Sequence, residues 1–353
     1  MDKRRIAVTS IIVVILGVLV FLQVRQWRHF DWITFWNETR QSSLKHIFHA
    51  CAYIYLADVL RAWRWQVFLR PRKGSWLQLI SPTFIGFTGL ALLGRPGEFI
   101  RPFLIARRTN LPFSSQIAVW TVERIFDIGA FTVMMVAAIY FAPGLKELPF
   151  YGKFREAGYF LVLIVLGMIL TAALIARNGE HLASWCEQRF SSSTIVHKIG
   201  NKIREFGLGL NTIHGPWAFF LLSFSSIIVW FCIALAYREV THSYHVPVLR
   251  QMTTSHVLLL MGASMVGSVL QLPAVGGGSQ LATIGALNHV YDVPRELAVS
   301  CGMLLWLTTF MSIIPLGLWF AHREHVSLRR LSQESVAEEE KALKSEPPAD
   351  RAD

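Results

Sequence analysis

Long apolar blocks without charged side chains constrain the fold of this chain more than any other feature. Residues 6–24 contain no charge, and 53% of the 353 residues are hydrophobic while only 16% are charged. At about 1.5 Å per helical residue, such a block can cross a hydrocarbon core of about 30 Å. No small-residue cleavage site follows it, which favours a retained helix over a signal peptide. The sequence therefore predicts an all-α, polytopic integral membrane helical bundle.

Six blocks are long enough to be full crossings. They are residues 6–24, 44–65, 112–142, 159–175, 217–237 and 298–320. Two further apolar stretches, about 76–108 and 252–291, are interrupted by glycine and proline, and we expect them to form re-entrant helical hairpins. Whether 252–291 is a hairpin or two full crossings stays open, because both leave the C-terminus on the same side.

The remaining segments complete one predicted transmembrane domain over residues 1–321. Residues 178–214 are basic and of mixed polarity, which favours a cytoplasmic amphipathic linker. Residues 322–353 are charged and poor in apolar side chains, so we expect a disordered tail.

The charge distribution sets the expected orientation. The chain carries 34 basic and 23 acidic residues, a net charge of +11. Basic residues collect in cytoplasmic loops, so both termini are expected in the cytoplasm. The expected location is the cell membrane, as a bacterial inner or plasma membrane. Affinity for anionic lipid is a second consequence, and nucleic-acid binding is not expected. The four cysteines show no metal-ligand spacing, and neither a metal nor a cofactor is predicted.

Charged residues recur at three-residue spacing in the first interrupted stretch. Arg95, Glu98 and Arg101 lie among Gly94, Pro96, Gly97 and Pro102. On one helical face they would form a basic–acidic–basic row. The pattern favours a functional site inside the membrane, and the alternative is a cytoplasmic turn with solvated charges.

Three charges also interrupt the predicted crossing at 112–142. Glu123 and Asp127 are four residues apart and share a helical face, and Arg124 can reach Asp127. Each lone charge at the bilayer centre costs about 2.5–3.5 kcal/mol on insertion scales. These side chains are therefore expected to pair with charges elsewhere, with Arg95 and Arg101 as candidates. A purely structural ion-pair lock between helices is the alternative.

Two other motifs suit a lipid headgroup. Arg61 and Arg64 are flanked by tryptophans at the end of the second predicted crossing, where guanidinium groups could bind phosphate or simply anchor the helix. The turn after Pro273 contains Gly276, Gly277, Gly278 and Gln280. It is no P-loop, since the Lys-Ser/Thr pair is missing. It fits a broken helix lining a site, or close packing through small residues.

These motifs resemble the flippase-like membrane family that includes the transmembrane region of lysylphosphatidylglycerol synthases. The resemblance covers residues 6–321. Its first-half motifs are Arg61-x-x-Arg64-Trp65, Gly94-Arg95-Pro96-Gly97-Glu98-x-x-Arg101 and Val122-Glu123-Arg124-x-x-Asp127. The turn from Pro273 to Gln280 is similar to the family's Pro-Gly-Gly-x-Gly-x-x-Glu element, with Gln280 in place of the acid.

The resemblance implies a helical domain with two re-entrant hairpins that moves lipids or lipid-linked compounds between leaflets. The chain ends without the soluble aminoacyl-transferring domain of the bifunctional synthases, so that activity is expected to be absent. Hopanoid-associated and archaeal glycolipid-associated members mean that lysylphosphatidylglycerol cannot be assumed to be the substrate.

The leading hypothesis is a lipid transporter without its own ATPase, for a lipid with an anionic or phosphate-bearing headgroup. Glu98 and Glu123 are candidate proton-coupling residues. The predicted substrate-binding residues are Arg61, Arg64, Arg95, Glu98, Arg101, Glu123, Arg124, Asp127, Gly276, Gly277, Gly278 and Gln280. The alternatives are a membrane-embedded lipid-modifying transferase and a non-transporting scaffold of a lipid-synthesis complex. Candidate protein partners are a second copy of the chain and lipid-synthesis enzymes.

Overall fold

The computed structural model describes residues 31–69, 75–142, 145–146, 151–189, 215–268 and 277–344, and the regular elements in these ranges are helical. The α-helices are α1 Trp32–Gln41, α2 Leu44–Phe68, α3 Ile80–Leu93, α4 Ile100–Thr109, α5 Phe113–Phe141, α6 Tyr151–Arg189, α7 Gly215–His242, α8 Pro247–Arg250, α9 Thr254–Gly267, α10 Gly278–Val290, α11 Arg295–Trp306, α12 Ile313–Arg323 and α13 Leu328–Lys344. The predicted helix at 6–24 and Gly276 lie outside the described residues.

Four of the described helical segments are long and apolar enough to cross a membrane. They are Trp76–Leu93, Phe113–Phe141, Gly215–His242 and Arg295–Arg323. The last three coincide with predicted crossings, and the first is the leading arm of the first interrupted stretch. Helices α2 and α6 also coincide with predicted crossings, and α6 continues to Arg189 through a break at Asn178, where φ is −132°.

The first interrupted stretch folds as a helical hairpin whose arms, α3 and α4, pack against each other. Gly94 ends α3 with φ 69° and ψ −145°, a backbone conformation that only glycine adopts easily. A short 3₁₀ turn, Arg95–Phe99, then leads into α4. A Cβ atom at Gly86 would overlap with Arg101, and one at Gly97 would overlap with the carbonyl of Gly89. The arms are therefore in backbone contact.

The described helices of the second interrupted stretch, α9 and α10, also pack against each other. Thr253 and His256 form a capping box at the start of α9. Gly277 precedes α10 with φ 64° and ψ −134°, close to the values at Gly94. A Cβ atom at Gly267 would overlap with the carbonyl of Gly278. Both pairs of helices thus combine a glycine of positive φ next to one arm with glycine contacts between the arms.

Helices α2 and α7 pack along each other, α5, α9 and α11 pack against α7, and α10 packs against α9 and α11. The largest hydrophobic cluster joins these helices. A π-helical turn, Leu307–Met311, separates α11 from α12. Helix α12 packs on the first hairpin, where a Cβ atom at Gly317 would overlap with the Thr88 hydroxyl and the carbonyl of Phe84.

The C-terminal segment differs from the predicted disordered tail. Residues Leu328–Lys344 form α13, and Leu331 is buried in a cluster with Phe103 and Leu104 of α4. Arg108 also donates a 2.6 Å hydrogen bond to Glu324, just before α13. The prediction of disorder is therefore corrected for residues 328–344. The segment is polar on average, so its composition did not reveal the short apolar face.

Candidate functional site

Glu123 lies at the centre of a buried cluster of charges and is itself fully buried on α5. Arg64 of α2 donates a 2.6 Å hydrogen bond from Nη2 to Oε1 of Glu123. Arg101 of α4 donates to both carboxylate oxygens. Nη2 of Arg124 lies 3.5 Å from Oε2. One carboxylate therefore joins the second helix, the first hairpin and α5.

Asp127 lies one helical turn further along α5 and is 3% exposed. Its Oδ1 atom accepts a 2.7 Å hydrogen bond from Nη1 of Arg64, and its Oδ2 atom lies 3.1 Å from Nη2 of Arg124. Nη1 of Arg64 also donates a 2.6 Å bond to the hydroxyl of Ser226 on α7. Arg64, which is fully buried, thus connects three helices.

Aromatic rings fix the position of the Arg101 guanidinium. Its Cζ atom lies 4.4 Å from the ring centroid of Trp65 and 5.1 Å from that of Phe87. The Trp65 indole donates a 3.0 Å hydrogen bond to Oε1 of Gln116, and both residues are buried. A guanidinium packed between π faces is stabilised by cation–π attraction, which strengthens where water is excluded.

The cluster keeps one net positive charge, since three guanidiniums face two carboxylates. The side chains of Arg64, Arg101, Glu123 and Asp127 are at most 4% exposed, whereas that of Arg124 is 40% exposed. Breaking a buried ion pair by removing one partner costs about 3–5 kcal/mol. The four buried groups therefore remain in ion pairs with one another. Arg124 is the member of the cluster that an anion from outside can reach.

The predicted row of Arg95, Glu98 and Arg101 runs from the surface into this cluster. Arg95 is exposed, Glu98 is half-buried and Arg101 is buried. Of the two predicted partners of Glu123, the structure brings Arg101 to it and leaves Arg95 at the surface. Arg61 pairs instead with Asp58 at 2.7 Å, and its Cζ atom lies 4.8 Å from the Phe87 ring centroid.

A cavity of about 410 Å³ opens beside the charged cluster. Arg124 and Asp127 form part of its wall, and residues of α7, both arms of the second hairpin, α11 and the π-helical turn form the rest. Gln280, predicted from the glycine-rich turn, lines it from α10. Gly277 and Gly278 lie at the start of that helix. The volume falls in the usual range of about 300–1,000 Å³ for ligand sites.

Arg124 also lines a second cavity, of about 70 Å³. Glu98, Arg101 and Arg124 contribute to its lining. Arg124 therefore faces the first hairpin through one cavity and the second hairpin through the other. Arg124 thus shares one cavity with Glu98, predicted in the first half of the sequence, and the other with Gln280, predicted in the second half.

Several residues of the site were missed by the sequence reasoning. Ser226, Gln116 and Thr309 are uncharged polar residues inside apolar helices, which is a signal that could have found them. Trp230 and Trp306 line the larger cavity and were indistinguishable from lipid-facing tryptophans. Within the described ranges, no group of three or more His, Cys, Asp or Glu residues could hold a metal ion.

Comparison with known proteins agrees with the motifs. The family described as "Lysylphosphatidylglycerol synthase TM region" matches residues 7–317. The glycosyltransferase AglD of Haloferax volcanii is 27% identical over 209 residues, which are 51% of this chain and 33% of that protein. The chain thus spans about a third of the length of this curated relative. No solved structure matches.

Proposed function

We propose that this chain, which belongs to the family of lysylphosphatidylglycerol synthase transmembrane regions, moves a membrane lipid or lipid-linked compound between leaflets without an ATPase of its own. The family and the apolar helices identify a multi-pass membrane protein with a lipid-related function. The observation that carries the proposal is the position of Arg124, a partly exposed cation that lines two cavities beside a buried cluster of ion pairs.

The proposed topology has about six crossings and two re-entrant hairpins, with both termini in the cytoplasm of a bacterial cell. Helices α4, α9 and α10 contain 10, 14 and 13 residues. At about 1.5 Å per residue they extend roughly 15–20 Å, less than a hydrocarbon core of about 30 Å. Because irregular backbone at membrane depth needs protein or water around it, the cavities beside both hairpins support this arrangement.

In the proposed mechanism, the lipid's phosphate moves along the cavity wall past Arg124 while its acyl chains stay in the bilayer. A bare phosphate in hydrocarbon is prohibitively unstable, and a guanidinium replaces part of its hydration. Asp127 and Glu123 lie 3.1 Å and 3.5 Å from the same guanidinium nitrogen and compete for it, which limits the affinity and permits release. The sequence contains no P-loop, so we expect downhill or ion-coupled movement.

Glu98 is the better of the two candidate proton carriers. Glu123 is held by three guanidiniums, which stabilise its charged form. Glu98 is half-buried beside the small cavity and has no ion pair among the described residues. Coupling through Glu98 would make the rate depend on a proton gradient, whereas downhill movement would not.

Proteoliposomes with a fluorescent phospholipid test the proposal, with dithionite quenching reporting the leaflet of the dye. We expect ATP-independent movement that falls about 10- to 100-fold in Arg124→Gln, since a hydrogen bond to a charged group contributes about 1.5–3 kcal/mol. Arg330→Gln is the matched control, because Arg330 is 81% exposed and pairs only on the surface of α13. An unchanged rate in folded Arg124→Gln protein would overturn the role of this side chain, and no movement above empty liposomes would overturn the function.

A lipid-modifying transferase is the second candidate, supported by the similarity to a protein named as a glycosyltransferase. Such chemistry needs a positioned base or nucleophile. Mass spectrometry of lipids after expression separates the two functions. A new lipid species that disappears in the Glu98→Gln variant would favour the transferase, and an unchanged lipid composition with an altered leaflet distribution would favour transport.

A further inference from the structure

Hydroxyl groups are the main polar groups on the wall of the 410 Å³ cavity. They belong to Tyr237, Ser264, Ser268, Ser279, Thr283 and Thr309. The wall also contains the carboxamide of Gln280 and the indoles of Trp230 and Trp306. Charged residues of the lining are confined to α5, where Arg124 and Asp127 are found. The cavity is therefore charged at one side and neutral but polar elsewhere.

Most of these hydroxyls already donate a hydrogen bond to another group of the protein. Thr283 and Thr309 each donate a 2.7 Å bond to the backbone carbonyl four residues earlier. Ser268 donates a 2.7 Å bond to the carbonyl of Met265, and Tyr237 donates a 3.3 Å bond to Ser264. A hydroxyl that donates keeps oxygen lone pairs for accepting. The wall consequently offers acceptors that suit a ligand rich in O–H donors.

The two indoles supply the complementary donors. Nε1 of Trp230 and Nε1 of Trp306 are both buried and have no hydrogen-bond partner among the described residues. An indole nitrogen is a donor only, and it is costly to bury without an acceptor. A ligand with hydroxyl oxygens satisfies these donors and the wall's acceptors at once, since each hydroxyl both donates and accepts.

The charges of the cluster disfavour an amine headgroup and favour an anion. Asp127, the carboxylate in the cavity wall, is already paired with Arg64 and Arg124. A cation placed there would lie beside a cluster with a net positive charge. A phosphate would meet the partly exposed guanidinium of Arg124 instead.

We infer that this cavity binds a sugar or polyol headgroup that is joined to its lipid through a phosphate, with the hydroxyls among the Ser, Thr and Trp side chains and the phosphate at Arg124. The inference rests on the proposed function and names the substrate class of the same site. It also assigns a specificity role to Thr283 and Trp306, which carry no charge and lie on α10 and α11.

Three fluorescent lipids with identical acyl chains test the inference. Phosphatidylinositol carries a phosphate and a polyol, phosphatidylethanolamine a phosphate and an amine, and phosphatidic acid a phosphate alone. In proteoliposomes we expect phosphatidylinositol to move at least about tenfold faster than phosphatidylethanolamine, because two or three hydrogen bonds distinguish the headgroups. Native mass spectrometry of the protein with an equimolar mixture should show the same order of occupancy.

The variants Thr283→Val and Trp306→Phe should each lower phosphatidylinositol transport about fivefold and leave phosphatidic acid transport within twofold. Thr121→Val is the matched control, because Thr121 also donates to the carbonyl four residues earlier but does not line the cavity. We expect it to transport both lipids at the wild-type rate.

The outcomes separate the inference from the proposed function. Equal transport of the three lipids, or equal loss for all of them in Thr283→Val and Trp306→Phe, would support transport and overturn the headgroup assignment. Preferential occupancy by phosphatidylinositol without any transport would support the assignment and overturn the transport function. Neither transport nor preferential occupancy would overturn both.

Discussion

Removing the charge of Glu123 gives the sharpest test of the buried cluster. Glu123→Gln keeps the shape of the side chain, so packing changes little. Arg64 retains Asp127 at 2.7 Å after this substitution. Arg101, 4% exposed, has no other carboxylate within ion-pair distance among the described residues. We therefore expect a loss of about 3–5 kcal/mol in the free energy of unfolding, the cost of leaving a buried charge without its partner.

Equilibrium unfolding in mixed micelles of dodecylmaltoside and sodium dodecyl sulfate, followed by circular dichroism, measures this loss. Glu334→Gln is the matched control, because Glu334 is 34% exposed and its 2.7 Å pair with Arg330 lies at the surface. That variant should lose no more than about 1 kcal/mol.

The double variant Glu123→Gln/Arg101→Gln completes the cycle. Removing the stranded guanidinium should restore part of the lost stability, with a coupling free energy of about 0.5–3 kcal/mol between the two sites. If Glu123→Gln were no less stable than Glu334→Gln, or if the double variant showed additive losses, the described ion pairs would not hold the helices together and the reasoning would be refuted.

Three further substitutions test the packing around the site by the same unfolding measurement. Gly97→Ala should cost about 1–3 kcal/mol, because its Cβ atom would overlap with the carbonyl of Gly89, and a neutral result would mean that the hairpin arms are farther apart. Gly277→Ala should cost about 1–3 kcal/mol through backbone strain at φ 64°, and no loss there would contradict the described turn. Gln116→Leu should cost about 1 kcal/mol, since the indole of Trp65 would lose its acceptor, and it should shift the tryptophan fluorescence, whereas an unchanged spectrum would argue against the bond.

The composition and the apolar blocks were enough to predict a helical membrane protein, and the charges in 112–142 predicted a buried pairing partner. The structure supplies Arg101 as that partner. It also places Arg64, 59 residues before Glu123, in the same cluster, although the sequence suggested headgroup binding or anchoring for it. Spacing along one helix shows which side chains share a face, but it does not show which helices meet. The roles of these residues in substrate binding remain predictions.

Other features depend on details that a sequence pattern does not carry. Arg95 and Arg101 have the same charge and similar neighbours, yet Gly94 and the following 3₁₀ turn leave one exposed and bury the other. The polar wall of the cavity is made of serines and threonines that bond to their own helices, so each looks unremarkable along the chain. Helix α13 shows the converse, since a few apolar contacts order a segment of polar composition.

The glycine contacts of the first hairpin have a consequence for how the protein can move. Gly86 and Gly97 bring the two arms into backbone contact, and Gly317 brings α12 equally close to the same hairpin. Surfaces that pack this closely leave no room for sliding, so α3, α4 and α12 should move as one rigid body. This rigid body contacts Glu123 of α5 through the side chain of Arg101. Any movement of these helices relative to α5 must therefore break and re-form the buried ion pair between Arg101 and Glu123.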